Sequence, residues 1–356
     1  MALYGYKRRQ HQVADEEAES ARDPLLRCAD LILPWLTPQE LAAVSLTSAG
    51  LRRASLSVAR RRSSDAARGL EPLPVPFLSA VDSRPYAYFL YAPSSFSRAL
   101  SPPNDALLPL RQPWGSSSRT VDRPTAFPSR EAADVVVGGV VLGCGCERCE
   151  GRDCACWGGD GGGEEEEEVV VVVSECGPGC GCGSECGNRA SQRGVEVRLK
   201  IARDKKKGWC LFADQAIEKG RFVCEYAGEL LTTKEARARQ KEYDELASSG
   251  GFSSALLVVR EHLPSGKACL RINIDATKVG NVGRFINHSC DGGNLSTVLV
   301  RSTGALLPRL CFFASNDIRE GEELSFSYGE TRLRSNGLQC YCGASNCFGV
   351  LPSEHT

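Results

Sequence analysis

Nine cysteines lie between residues 144 and 186, and their spacing suits metal binding. Mostly glycine, charged and small residues separate them, so the segment lacks the apolar material that a hydrophobic core needs. Thiolates at C-x-C and C-x-x-C spacing bind zinc in tetrahedral sites. Because no histidine lies in the segment, we expect an all-sulfur site. The block of five and the block of four are Cys144, Cys146, Cys149, Cys154 and Cys156, then Cys176, Cys180, Cys182 and Cys186.

The number of these cysteines predicts how many metal ions they bind. Three tetrahedral zinc ions need twelve ligand positions, and nine thiolates supply twelve only if three of them bridge two ions. A disulfide framework is the alternative, as in a small secreted domain. The odd number of cysteines and an N-terminus (MALYGYKRRQHQ) without an apolar signal segment favour zinc and a reducing compartment.

Composition limits the other partners. Lys and Arg total 43 against 44 Asp and Glu, so net charge does not indicate direct DNA binding. The longest uncharged apolar stretch, at residues 135–142, is too short to cross a membrane. We therefore expect no membrane among the partners. The basic runs at residues 60–62 and 205–207 are solvated surface or nuclear-import signals. A chain of 356 residues allows two or three domains.

Residues 24–68 read as helical. Thr37, Pro38 and Glu40 predict an N-cap, a proline at the first helical position and a capping box, and Gly50 predicts a helix stop. The stretch LPWLTPQELAAVSLTSAGLR resembles an F-box-like helical pair, with a plain helical adaptor as the alternative. We therefore assign residues 1–92 to a helical N-terminal region that is a candidate for binding a protein partner.

The rest of the chain alternates low-complexity and strand patterns. Residues 93–133 are rich in proline and serine and predict a linker or a segment laced over the surface. GGDGGGEEEEEVVVVV predicts a loop between the halves of one metal site. After Gly194 short alternating strands follow, and Thr232 with Glu235 caps a helix to about Ala247. These patterns indicate a mainly β fold with few helices (α+β).

Three motifs then occur in fixed order: GWCLFA at 208–213, GRFINHSC at 283–290 and ELSFSYG at 323–329. Together they resemble the SET domain of protein lysine methyltransferases. The cysteine segment resembles a pre-SET domain of the Su(var)3-9 branch, plant SUVR-like type, and C-x-C-x4-C near the end resembles a post-SET module. The resemblance implies a β-clip-like fold with a pseudoknot that threads the NHSC segment beneath a loop. It divides the chain into pre-SET (134–194), SET (195–330) and post-SET (335–351).

The same resemblance implies S-adenosylmethionine as cofactor. Residues that would bind it are Gly208, Trp209, Cys210, Arg284, Asn287, His288 and Tyr328. Cys210 stands where the family usually has glycine, which places a side chain near the ligand. Ser327 stands where aspartate is common, and DGGN follows Cys290 where Pro-Asn is frequent. These departures bear on rate and substrate choice more than on the fold.

The implied reaction is direct displacement, in which a lysine amine attacks the sulfonium methyl. The site must align the reacting atoms. It must also lower the lysine pKa from about 10.4, through desolvation and the adjacent sulfonium charge. The resemblance assigns four residues to this step: Tyr328 orients the amine, Tyr226 and Phe326 line the channel, and His288 completes the site. A core aromatic with a satisfied hydroxyl is the alternative for either tyrosine.

A fourth zinc ion is implied near the C-terminus. The resemblance supplies Cys290 as the fourth ligand beside the three post-SET cysteines, which gives four zinc ions in total. This set comprises Cys290, Cys340, Cys342 and Cys347. The other cysteines are read as ordinary thiols, namely Cys28, Cys210, Cys224, Cys269 and Cys311.

The function implied by the resemblance is transfer of methyl groups to the histone H3 tail, at lysine nine, in the nucleus. The expected partner is therefore the H3 tail or the nucleosome, and the expected place of action is chromatin. Two alternatives are a methyltransferase of non-histone proteins and a catalytically silent, zinc-containing chromatin adaptor. The presence of Tyr328, Asn287 and His288 argues against the silent adaptor.

Overall fold

The computed structural model describes residues 24–97, 111–117, 143–147, 149, 154–156, 171–248, 252–262, 269–329 and 338–352. Five α-helices lie in these ranges: α1 Pro24–Arg27, α2 Ala29–Ile32, α3 Pro38–Ser45, α4 Ala49–Ser64 and α5 Thr233–Ser248. The strands are β1 Phe77–Leu78, β2 Leu90–Tyr91, β3 Val171–Glu175, β4 Leu199–Asp204, β5 Gly208–Ala213, β6 Phe222–Glu225, β7 Gly228–Leu231, β8 Leu256–His262, β9 Cys269–Gly280, β10 Asn287–His288, β11 Leu295–Ser302, β12 Arg309–Ala314 and β13 Ser325–Phe326. Among these helices, none is long and apolar enough to span a bilayer.

The strands form small sheets around a shared core, as expected for a mainly β fold. Their orders are β1-β4-β5, β3-β11-β12-β6 and β2-β9-β7, with β8 also pairing with β9. The short strands β10 and β13 pair in parallel, with Asn287 opposite Ser325 and His288 opposite Phe326. This pairing brings the GRFINHSC motif against the ELSFSYG motif, which lie far apart in the sequence.

Local helix signals are largely confirmed. In the capping box of α3, the carboxylate of Glu40 accepts from the Thr37 N–H at 2.8 Å, and the Glu40 N–H donates back to the Thr37 hydroxyl at 3.3 Å. Such a cap stabilises a helix by about 1 kcal/mol. Thr232 and Glu235 form the same box before α5. The helix stop predicted at Gly50 is wrong: Gly50 is the second residue of α4, and a Cβ there would lie 2.6 Å from the Leu26 side chain.

The N-terminal region is less helical and more integrated than its sequence predicted. Strand β1 pairs with β4, and β2 pairs with β9, so two segments of this region extend sheets formed by residues 195–330. In the described stretches of the predicted linker 93–133, Phe96 pairs with Glu229 and Trp114 is buried in the main core, so these residues pack against the rest of the fold. The remainder of that linker lies outside the described residues.

The loop predicted between the cysteine blocks is also partly a strand. Its last valines belong to β3, which pairs in parallel with β11, with Val171 opposite Val298. β-Branched residues suit a paired strand, and here they extend the sheet that contains β11 and β12. The preceding residues 157–170 lie outside the described ranges.

Candidate active site and sulfur clusters

The aromatic residues of the expected lysine channel lie together. Phe326 is buried, and its ring centroid is 4.9 Å from that of Tyr328 and 4.7 Å from that of Phe312 on β12. The Phe312 ring also meets the Tyr226 ring edge-on, at 6.3 Å. The fold therefore joins Tyr226, Phe326 and Tyr328 into one aromatic group through Phe312, a residue that was not singled out from the sequence.

The hydroxyl groups of both tyrosines donate to main-chain carbonyls. Tyr226 Oη lies 2.8 Å from the Ala255 oxygen, and Tyr328 Oη lies 2.9 Å from the Ile286 oxygen. Burial raises the pKa of both phenols, so they stay protonated at neutral pH. Because each proton is directed at a carbonyl, the lone pairs of each oxygen are the groups that can accept a hydrogen bond from an amine.

His288 links Tyr328 to a cysteine. The ring is buried, its Nδ1 accepts from the Tyr328 N–H at 3.2 Å, and its Nε2 lies 3.2 Å from Cys290 Sγ. Both ring nitrogens therefore have protein partners. These contacts fix the ring between the Tyr328 main chain and the Cys290 sulfur.

The GWC motif begins strand β5, on the expected cofactor side. Gly208 has φ +85°, and apart from its chain neighbours no atom of the described residues lies within 4 Å of where its Cβ would be. The Trp209 side chain is half-buried. The Cys210 thiol is fully buried, and burial raises its pKa to about 12, so it stays neutral. The departure from glycine therefore adds a neutral side chain to the interior without interrupting the strand.

Glu323 joins the two motifs on this side. One carboxylate oxygen lies 2.6 Å from Lys207 Nζ, and the other accepts from the Asn287 side-chain amide at 2.9 Å. Its main chain forms a bridge with Phe212. Neither Glu323 nor Lys207 was predicted as a site residue. Their positions, at the start of ELSFSYG and directly before GWC, are the signals that could have identified them.

Arg284 is held by the core. Its guanidinium donates to the Thr277 carbonyl at 3.0 Å, and its central carbon lies 4.8 Å from the ring centroid of Phe89 and 5.3 Å from that of Phe285. Burial lowers the Arg284 pKa to about 10, which still leaves the group charged at neutral pH. These contacts fix the guanidinium against the two rings and the Thr277 main chain.

The nine cysteines of residues 144–186 gather into one sulfur cluster. The Sγ atoms of Cys144, Cys149 and Cys176 form a triangle with edges of 3.6, 3.6 and 4.0 Å. Each of the three belongs to at least two groups of four sulfurs lying within 4.8 Å of one another. Those groups are 144/149/154/176, 144/156/176/180 and 149/176/182/186. Cys146 packs against the same cluster. Cys176 belongs to all three groups, Cys144 and Cys149 belong to two each, and Cys146 belongs to none, so the triangle consists of the sulfurs that the groups share.

A fourth sulfur group ties the C-terminal segment to the NHSC motif. The Sγ atoms of Cys290, Cys340, Cys342 and Cys347 lie within 4.8 Å of one another. The Cys340 N–H donates to the Gly349 carbonyl at 3.0 Å, which closes the segment into a loop. Among the described residues, no sulfur group contains the five cysteines read as ordinary thiols, namely Cys28, Cys210, Cys224, Cys269 and Cys311.

Two protein-family models match the chain. A SET domain model matches residues 208–329, and a Pre-SET motif model matches residues 67–189. The first match contains all three motifs, from GWCLFA at 208 to ELSFSYG, which ends at 329. The second begins well before the cysteine segment and includes β1 and β2.

Proteins of similar sequence and structure are methyltransferases. Histone-lysine N-methyltransferase SUVR3 of Arabidopsis thaliana is 56% identical over 343 residues, which is 94% of each chain. The methyltransferase domain of human histone-lysine N-methyltransferase SETMAR aligns with a TM-score of 0.57 at 28% identity, over 81% of this chain and 97% of that one. KRYPTONITE in complex with mCHH DNA, H3(1-15) peptide and SAH aligns with a TM-score of 0.56 at 27% identity, over 81% of this chain and 53% of that one.

Proposed function

The chain belongs to the SET-domain histone-lysine N-methyltransferases of the Su(var)3-9 type, and we propose that it methylates lysine nine of the histone H3 tail. It is an S-adenosylmethionine-dependent enzyme of that family. The observation that carries the proposal is the aromatic group around Tyr328, beside the paired NHSC and ELSFSYG motifs. The H3 peptide and SAH bound in the KRYPTONITE structure support the substrate and the cofactor. The proposed place of action is nuclear chromatin.

We assign the cofactor to the side of the site formed by Gly208, Trp209 and Asn287. The open space at Gly208 and the half-buried indole fit a ligand that approaches the main chain and stacks on an aromatic face. Glu323 fixes the Asn287 amide there. Bound S-adenosylmethionine supplies an activated methyl group on its sulfonium sulfur.

The aromatic group is assigned to the lysine side of the site. The lone pairs of Tyr328 Oη and Tyr226 Oη accept N–H bonds from the amine, which orients its own lone pair. Phe326 and Phe312 form an apolar wall, and burial against such a wall favours the neutral, nucleophilic amine over the ammonium form. Alignment of this amine is the main contribution of the protein to the rate.

The substrate assignment is tested with two H3 peptides that cover tail residues 1–15. The first has the natural sequence, and the second has arginine in place of lysine nine while keeping its other lysines. We expect mass spectrometry to find methyl groups only on the first. Equal modification of both peptides would show that lysine nine is not the target, and modification of neither would favour a non-histone substrate.

Phe326→Tyr is expected to shift the products toward the monomethyl form. The Phe326 ring is packed between Phe312 and Tyr328, so an added hydroxyl takes up space that a second or third methyl group needs. Mass spectrometry of the product peptide measures the ratio. The matched control is Phe313→Tyr, because that ring packs on Phe222 in a separate cluster. An unchanged ratio in Phe326→Tyr would show that another residue limits the methylation degree.

We propose that the two sulfur clusters hold four zinc ions, three in residues 144–186 and one at Cys290. The all-thiolate ligand sets, with three shared sulfurs in the larger cluster, fit tetrahedral zinc. Elemental analysis of fully reduced, metal-loaded protein is expected to give four zinc ions per chain. Two or fewer ions at full occupancy would contradict the shared-ligand arrangement.

A further inference from the structure

The β4 edge of the β4–β5 hairpin pairs with strand β1, which precedes all three SET motifs in the sequence. Strand β1 adds to this hairpin, with Phe77 opposite Ile201 and Leu78 opposite Ala202. The Ile201 N–H also donates to the Pro76 carbonyl at 2.8 Å. Residues 76–78 are thus the third strand of the sheet that carries the GWC motif.

Phe77 lies between two residues of the SET motifs. It is 4% exposed, and its ring stands edge-on to the Trp209 indole, at 5.2 Å and 74°. It stands edge-on to Phe285 as well, at 5.8 Å and 86°. Trp209 belongs to GWCLFA and Phe285 to GRFINHSC. Phe77 therefore contacts the indole and Phe285 at once and links the two motifs.

Asp82, in the loop after β1, forms an ion pair with Arg203, the second residue that contacts the Trp209 indole. Arg203 lies directly opposite Trp209 across the hairpin, with its guanidinium carbon 5.2 Å from the indole centroid. Arg203 Nε donates to an Asp82 carboxylate oxygen at 2.8 Å, and the other oxygen of Asp82 accepts from the Arg84 N–H at 3.0 Å. The loop after β1 thus fixes the cation that stacks on the indole.

We propose that Phe77, Asp82 and Arg203 are positioning residues that hold the Trp209 indole in its cofactor-binding orientation. The inference rests on the proposed function, because Trp209 is assigned to the cofactor there. The indole is only half-buried, and Phe77 and Arg203 both contact it from the sheet that carries it. Holding a binding group in place before the ligand arrives reduces the ordering cost of binding, and the residues therefore act on cofactor affinity.

The test is the Kd of S-adenosylmethionine for the metal-loaded full chain, measured by calorimetry. Phe77→Leu is expected to raise this Kd by about tenfold, the upper range for losing an aromatic pair. The KM for the cofactor should rise in parallel, while kcat and the KM for the peptide stay near wild type. The control is Phe313→Leu, which removes a similar edge-on pair with Phe222 on another sheet. Equal weakening by both variants, or by neither, would overturn the inference.

Two further variants separate the positioning role from a folding defect and from an error in the cofactor assignment. Asp82→Asn lies in the loop after β1 and should also weaken binding, with zinc content unchanged. Trp209→Leu tests the site itself: wild-type affinity in this variant would mean that the cofactor assignment is wrong. If Trp209→Leu weakens binding but Phe77→Leu and Asp82→Asn do not, the cofactor assignment stands and the positioning role is excluded.

Discussion

Tyr328→Phe is expected to lower turnover by at least about 100-fold while cofactor binding stays near wild type. The variant keeps the ring that packs on Phe326 and loses only the hydroxyl. That hydroxyl donates to the Ile286 carbonyl, so its lone pairs are in a fixed direction. Without this acceptor the amine loses its alignment to the methyl group. Single-turnover rates and calorimetric cofactor binding measure the two effects separately.

The matched control for this variant is Tyr86→Phe. Tyr86 is in the N-terminal region, where its hydroxyl accepts from Arg62, so the control also deletes one hydroxyl and one hydrogen bond. It is expected to lose about 1 kcal/mol of stability and to keep its turnover. A wild-type rate in Tyr328→Phe would show that Tyr328 is a packing residue and that the amine is oriented by other groups.

Cys290→Ser is expected to remove one zinc ion of the four and most of the activity. Cys290 holds the C-terminal cysteines, and its sulfur lies beside His288, whose other nitrogen accepts from the Tyr328 main chain. Loss of the metal therefore releases the C-terminal segment and loosens the backbone that carries Tyr328. We expect turnover to fall by about 100-fold or more, with three ions retained in residues 144–186.

Cys28→Ser provides the control for metal loss, because Cys28 is exposed and belongs to none of the sulfur groups found in the described residues. It should retain four zinc ions and normal turnover. Elemental analysis and a methyl-transfer assay on the same preparations test both variants. Full activity in Cys290→Ser with only three ions would separate the C-terminal metal from catalysis.

Features set by neighbouring residues in the sequence were predictable. The capping box at Thr37 and Glu40 depends on four consecutive residues, and it forms as expected. The spacing of the nine cysteines predicted one all-sulfur cluster, and the structure brings their side chains together around a triangle of three sulfurs. Likeness to the family placed Tyr226 with Phe326 and Tyr328, which lie about a hundred residues further along the chain, because family likeness carries long-range contacts that local patterns do not.

Features set by long-range packing were not predictable. Strands β1 and β2 have two residues each, and their partners lie more than a hundred residues away, so no local pattern indicates them. Arg284 was assigned to the cofactor by likeness, but Phe89 from the N-terminal region stacks on it. A glycine is typical of a helix stop, yet Gly50 lies inside α4, and its close packing on Leu26 explains the glycine.

The most direct test of the proposed function is methyl transfer from S-adenosylmethionine to recombinant histone H3 by the metal-loaded full chain, read by mass spectrometry. We predict methyl groups at lysine nine that depend on the cofactor and are nearly absent with the Tyr328→Phe variant. A metal-loaded chain that binds the cofactor yet leaves H3 unmodified would contradict the proposal.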